Sequence, residues 1–192
     1  PARRQAPAER AGESTAGVYS YFPTKADLLV AVFRQAADVE LDAVRAAAAA
    51  RPDDPPGGGT AVRLARAVDT FARRALRGPT LAWALLLEPG DPAVDAARLE
   101  YRRAYATTFA DVVRDGVAAG EIPDQDVAVV ATALVGAVGE SLTGPRSPLA
   151  AARDGGSTGP APTPGERDAV VATIQRFCLG AVGARAVAPA PA

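Results

Sequence analysis

Between residues 14 and 25 the chain sets Ser14, Thr15, Tyr19, Ser20 and Tyr21 ahead of Lys25, its only lysine. Hydroxyls and an ammonium on one short segment are good partners for phosphate oxygens. Ala16 and Gly17, lying among them, are small enough to let a backbone approach a base edge. The same segment holds no activated nucleophile, because the chain contains no histidine. A Ser-His-Asp or Cys-His site is therefore excluded, and the commonest metal ligand is missing as well. Carboxylate-only or lysine chemistry stays open in principle, but no paired-carboxylate motif arranges it. No catalytic residue, no metal site and no cofactor are expected.

The single cysteine, Cys178, excludes an intrachain disulfide and fits a reducing, cytoplasmic compartment. Its flanks, "IQRFCLGAV", predict a buried, inert thiol. No apolar run approaches the roughly 20 residues of a membrane span, and no signal-peptide pattern opens the chain. No membrane partner is expected. A length of 192 residues, 48% of them hydrophobic and 22% charged, suits a globular protein of one large domain or a small one fused to a larger. The net charge of −1 does not announce a nucleic-acid binder. Residues 1–25, however, set Arg3, Arg4, Arg10 and Lys25 against Glu9 and Glu13, a local +2 that leaves −1 − 2 = −3 on the rest.

These groups must be positioned by helices, because nowhere does a period-two alternation persist. Breaks fall at "RPDDPPGGG" (51–59), "EPGDP" (88–92), "GEIPDQD" (120–126) and the Pro/Gly-rich 144–166, expected to be a mobile loop. Between them helices are predicted over 24–49, 60–77, 80–88, 92–119, 124–143 and 166–185. The first should start from a Thr24–Asp27 capping box and show Leu28, Leu29, Val32, Phe33 and Ala36 on one face. The fold class is all-α. Ahead of these helices, "PAERA" reads as a helix tail stopped at Gly12, and Ser14 or Thr15 as the cap of a second helix ended by Pro23. A helix, a glycine turn and a short helix make a helix-turn-helix.

"AERAGESTAGVYSYFPTKADLLVAVF" resembles the helix-turn-helix signature of the tetracycline-repressor (TetR) family of transcriptional regulators. The match rests on Ala11, Gly12, Ser14, Gly17, Val18, Tyr19, Phe22, Thr24, Lys25, Leu28 and Leu29. The resemblance implies that Thr15, Ala16 and Gly17 face bases of double-stranded operator DNA and that Tyr19, Tyr21 and Lys25 hold phosphates. Val18 and Phe22 would pack the small domain. Two features depart from the pattern. Glu13 stands where the family has an apolar residue, and only "PARRQAPAERA" precedes the motif, so the head is incomplete and the natural chain is expected to begin upstream. Residues 1–33 are thus assigned to a DNA-binding head with the start of a connecting helix, and 34–192 to a helical ligand-binding and dimerisation domain.

In that larger domain the small-residue helix 124–143, with Ala128, Ala131, Ala133, Gly136, Ala137 and Gly139, suits close helix–helix approach. With 166–185 it would form half of a four-helix bundle in a homodimer. The expected interface positions are Val127, Ala131, Leu134, Val135, Val138, Val170, Ile174 and Phe177. Phe71, Trp83, Leu87, Tyr101, Tyr105 and Phe109 would line a pocket for a small hydrophobic or aromatic effector. Spacing alone is equally met if the aromatics are plain core. No basic residue is expected to point inward. The function expected is a ligand-responsive repressor released from its operator by the effector. The alternative is a dimeric ligand-binding protein whose DNA-binding head is degenerate.

Overall fold

The computed structural model describes residues 21–143 and 163–184. Ser14, Thr15, Ala16, Gly17, Tyr19 and Ser20 of the expected DNA-reading surface, together with Glu13, lie outside the described residues. So does most of the expected loop over 144–166. Every described element is a helix: α1 (Lys25–Ala48), α2 (Gly59–Arg77), α3 (Pro79–Leu86), α4 (Pro92–Ala118), α5 (Val127–Thr143) and α6 (Pro164–Ala181).

Helix starts follow local chemistry. The Thr24 hydroxyl accepts from the Asp27 amide at 3.1 Å while Asp27 accepts from the Thr24 amide at 3.0 Å, the reciprocal box expected from sequence. Asp126 caps α5, its Oδ1 accepting from Ala128 and Val129 amides at 3.0 Å. Thr163 and Glu166 form a second box that brackets Pro164, so α6 starts at 164 and not at the expected 166. Proline at a first helical position lacks an amide that would have been unpaired anyway, so it sets the start and does not break the turn. Helix α4 stops at Gly120, whose φ of 69° is left-handed and favours glycine.

Helix α1 runs unbroken through the expected domain boundary at 33/34. Its buried stripe is Phe33, Ala37, Leu41, Val44 and Ala48, at the three- and four-residue spacing of one helix face. That corrects the expected face: Leu29 and Val32 are exposed by 40% and 57%, because the stripe facing α2 and α4 is rotated toward Ala37 and Leu41. Helix α2 is central, touching α1, α3, α4, α5 and α6. Leu64, Ala67, Val68 and Ala72 on it are fully buried. Alanine at several contact positions lets α2 approach its neighbours closely. Gly116 on α4 does the same, since a Cβ there would stand 2.5 Å from Thr60 Cγ2.

Ion pairs tie the 49–58 turn to α2. Arg66 bonds both carboxylate oxygens of Asp54 and donates to Ala47 and Ala49 carbonyls at 3.1 and 2.8 Å. The Arg66 guanidinium, aided by the Arg51 amide, holds the Asp54 carboxyl down to about 2. A depressed carboxylate contributes stability above its unfolded pKa of about 4 and loses it as pH falls through its folded value. Asp54→Asn should therefore be less stable than the parent in urea melts at pH 7, with the difference shrinking toward pH 2. A difference that stays constant over that range would contradict the pairing.

Candidate functional site

A cavity of about 90 Å³ opens where α1, α2, α3, α4 and α5 converge. Helix α1 supplies Phe33, Ala37, Glu40 and Val44, and α2 supplies Phe71, Arg74 and Ala75. The short α3 contributes Leu81, Ala82, Leu85 and Leu86, and Leu87 follows it. From α4 come Arg98, Tyr101, Arg102 and Tyr105, and from α5 Val135, Gly139, Glu140 and Thr143. The walls are mostly hydrocarbon and aromatic. Two edge-to-face pairs stiffen them: Phe33 with Tyr101 at 5.8 Å between centroids, and Phe71 with Tyr105 at 5.1 Å.

Of the expected pocket residues, Phe71, Leu87, Tyr101 and Tyr105 line the cavity and Trp83 and Phe109 do not. The lining side chains of α3 are Leu81, Ala82, Leu85 and Leu86. Phe109 lies one turn beyond Tyr105 and is 1% exposed, sealed in the main core with Val112 and Val113. It is core. The expectation that no basic residue points inward is also corrected, since Arg74, Arg98 and Arg102 all reach the lining. Arg74 grips Glu40 of α1 through Nε and Nη2 at 2.6 and 3.0 Å. Arg98 donates to the carbonyls of Leu85 and Glu88 at 2.9 and 2.7 Å, pairs with Asp95, and stands 5.6 Å over the Phe33 ring. The Glu40–Arg74 pair spans separate helices, so no local spacing announced it.

Helix α1 forms one wall of the cavity and is latched to α4 beside it. The Tyr101 hydroxyl donates to Asp38, lies 3.1 Å from the Arg34 carbonyl oxygen, and Arg34 pairs with Glu100 at 2.6 Å. Burial, then the bond to Asp38, pushes the Tyr101 phenol up to about 12, so it stays a neutral donor. Ahead of the same helix Tyr21 is 82% exposed, and at its first residue Lys25 is exposed too; these are the two expected phosphate contacts that the structure describes.

The expected interface positions divide. Ala131, Leu134, Val138 and Ile174 are at most 5% exposed within the single chain, packed in its own core, and cannot meet a second copy. Val127, Val135 and Val170 are half-buried against that core. Phe177 faces outward, 61% exposed, as does Val129 of α5 at 63%. A Cβ added at Gly136 or Gly180 would meet nothing within 4 Å, so this face is also free of bulk. Small residues suit close helix–helix approach within one chain as well as between two. Here α5 uses its stripe of Ala131, Leu134 and Val138 to reach α4 and α6.

Cys178 is fully buried, and burial pushes its thiol up to about 11. Among the described residues no group of three His, Cys, Asp or Glu side chains could hold a metal ion. No described helix is long and apolar enough to cross a membrane.

Residues 57–143 match the family model "Tetracyclin repressor-like, C-terminal domain". No curated protein matches the chain. Among solved structures, the chain is similar to a transcriptional regulator of the TetR/AcrR family from Thermobifida fusca YX-ER1, at 24% identity and a TM-score of 0.61. That alignment covers 90% of this chain and 82% of the other. It is similar also to a bacterial regulatory protein in the TetR family from Rhodococcus RHA1, at 20% identity, a TM-score of 0.61, and coverage of 93% and 85%. At these identities the likeness is one of fold.

Proposed function

We propose that this chain, a tetracycline-repressor-type regulator by its 57–143 domain, is a homodimeric repressor that a small hydrophobic effector releases from its operator. One observation carries the reading. Phe33, Ala37, Glu40 and Val44 of the cavity wall belong to the helix that begins at Lys25, directly after the segment with the DNA-reading pattern. A ligand that fills the cavity presses on α1, and α1 in turn sets where the head points.

The energy for release comes from differential binding. The effector stabilises whichever placement of α1 leaves it the larger cavity, and operator DNA stabilises the other, so each weakens the other by the same factor. The Tyr101–Asp38 and Arg34–Glu100 contacts hold α1 in its present placement. In a two-fold dimer the heads would meet major grooves about 34–36 Å apart, which makes affinity sensitive to small changes in α1. The outward faces of α5 and α6 around Phe177 would form the dimer contact.

The reading is tested by electrophoretic shift with the chain's own promoter DNA. A specific, salt-sensitive shift is expected, and its absence would overturn the assignment in favour of a ligand-binding protein without operator function. Lys25→Ala should weaken binding on all sequences and lower the salt slope by about one, since an ammonium on a phosphate carries no base information. An effect confined to one base position would contradict that role.

A further inference from the structure

The buried and half-buried polar groups around the cavity are nearly all committed to partners within the chain, while the exposed Arg102 and Glu140 carry no partner among the described residues. Arg74 is held twice by Glu40, and Arg98 by Asp95 and backbone carbonyls. The Thr143 hydroxyl donates to the Gly139 carbonyl of its own helix at 2.8 Å. Tyr101 is engaged with Asp38. Tyr105 differs. Its side chain is 9% exposed, yet its hydroxyl has no hydrogen-bond partner among the described residues. No sealed polar side-chain atom there lacks a partner, so this hydroxyl is not sealed, and the open space beside Tyr105 is the cavity.

We propose that the Tyr105 hydroxyl is the hydrogen-bond anchor of the cavity, and that the ligand is a compact, uncharged apolar molecule bearing one acceptor oxygen, such as a ketone, ester or ether. The inference rests on the effector-site reading above and specifies its chemistry. An acceptor is required because a buried phenol proton left without one costs more than the bond itself returns. Burial and the negative charge of Glu40 keep this phenol protonated well above neutral pH, so it is a donor throughout. Beside Tyr105 a carboxylate ligand would meet Glu40 and an Arg74 already neutralised by it, while the exposed lining residues Arg102 and Glu140 offer opposite charges and so no net attraction for an anion. The Phe71 ring, edge-to-face at 5.1 Å, fixes where the hydroxyl points and so where the acceptor must sit.

The test compares cyclohexanone with methylenecyclohexane, near-isosteres that differ in the acceptor, on the full chain and on Tyr105→Phe. The variant keeps the ring and its contact with Phe71, so the fold is retained. Calorimetry should show cyclohexanone about two- to tenfold weaker on the variant and methylenecyclohexane unchanged. The infrared carbonyl stretch of 13C-labelled cyclohexanone should move to lower frequency on the parent and not on the variant. Equal affinities of the ketone for both proteins, with no carbonyl shift, would overturn the anchor while leaving the cavity as a binding site. If neither molecule binds either protein, the anchor and the cavity's role as an effector site both fall.

Discussion

Phe109→Ala should destabilise the folded chain by about 3–5 kcal/mol, the usual cost of emptying a sealed aromatic site. Phe109 is 1% exposed and packs in the main core with Val112, Val113 and the α2 face of Leu64 and Val68. The cavity left behind is enclosed on all sides by helices that cannot collapse without moving one another. For a chain of this size the melting temperature should drop by roughly 6–20 °C. Thermal or urea melts measure the loss directly. Because Phe109 does not line the cavity, cyclohexanone should bind the remaining folded protein as it binds the parent. Loss of ligand affinity without loss of stability would return Phe109 to the pocket and overturn its placement in the core.

Phe177→Asp should separate the proposed dimer while leaving each chain folded. The ring is 61% exposed in the single chain, so the substitution removes little from the chain's own core. In a dimer joined through α5 and α6 it would put an unpaired carboxylate into a closed apolar contact, at a cost of about 3–5 kcal/mol. Dimer dissociation should therefore rise by roughly 100-fold or more. Sedimentation equilibrium should show a monomer where the parent is a dimer, with unchanged far-ultraviolet circular dichroism. Operator binding should fall with it, since a lone head loses the second half-site. A variant that stays dimeric at the same concentration would place the interface elsewhere.

Both predictions turn on facing, which periodicity alone did not resolve. Phe109 and Tyr105 are four residues apart on one helix, and the spacing treats them alike. Phe109 packs in the main core with Val112 and Val113, whereas Tyr105 borders the cavity where α1, α2, α3 and α5 converge on α4. Trp83 shows the same limit. It is the only tryptophan of the chain, yet α3 lines the cavity through Leu81, Ala82, Leu85 and Leu86, and Trp83 is not among the lining residues. Helices α5 and α6 carry apolar residues on more than one face, and hydropathy cannot say which face meets the same chain and which a second one.

The local chemistry of this protein was legible in its residues. The all-α class and the helix order were legible there, as were the Thr24–Asp27 box and the Gly120 stop, because they depend on backbone groups satisfied within a few positions of one another. The family resemblance came from the small, polar and aromatic pattern around "AGESTAGVYSYF", and the matching family model covers a different part of the chain, 57–143. What only the tertiary structure decided are the pairings between distant residues: Glu40 with Arg74, Tyr101 with Asp38, and the unpartnered hydroxyl of Tyr105 in a cavity walled by five helices. Each depends on how far one helix is rotated about its axis against another. That rotation is set by the fit of the whole core, and no short stretch of sequence carries it.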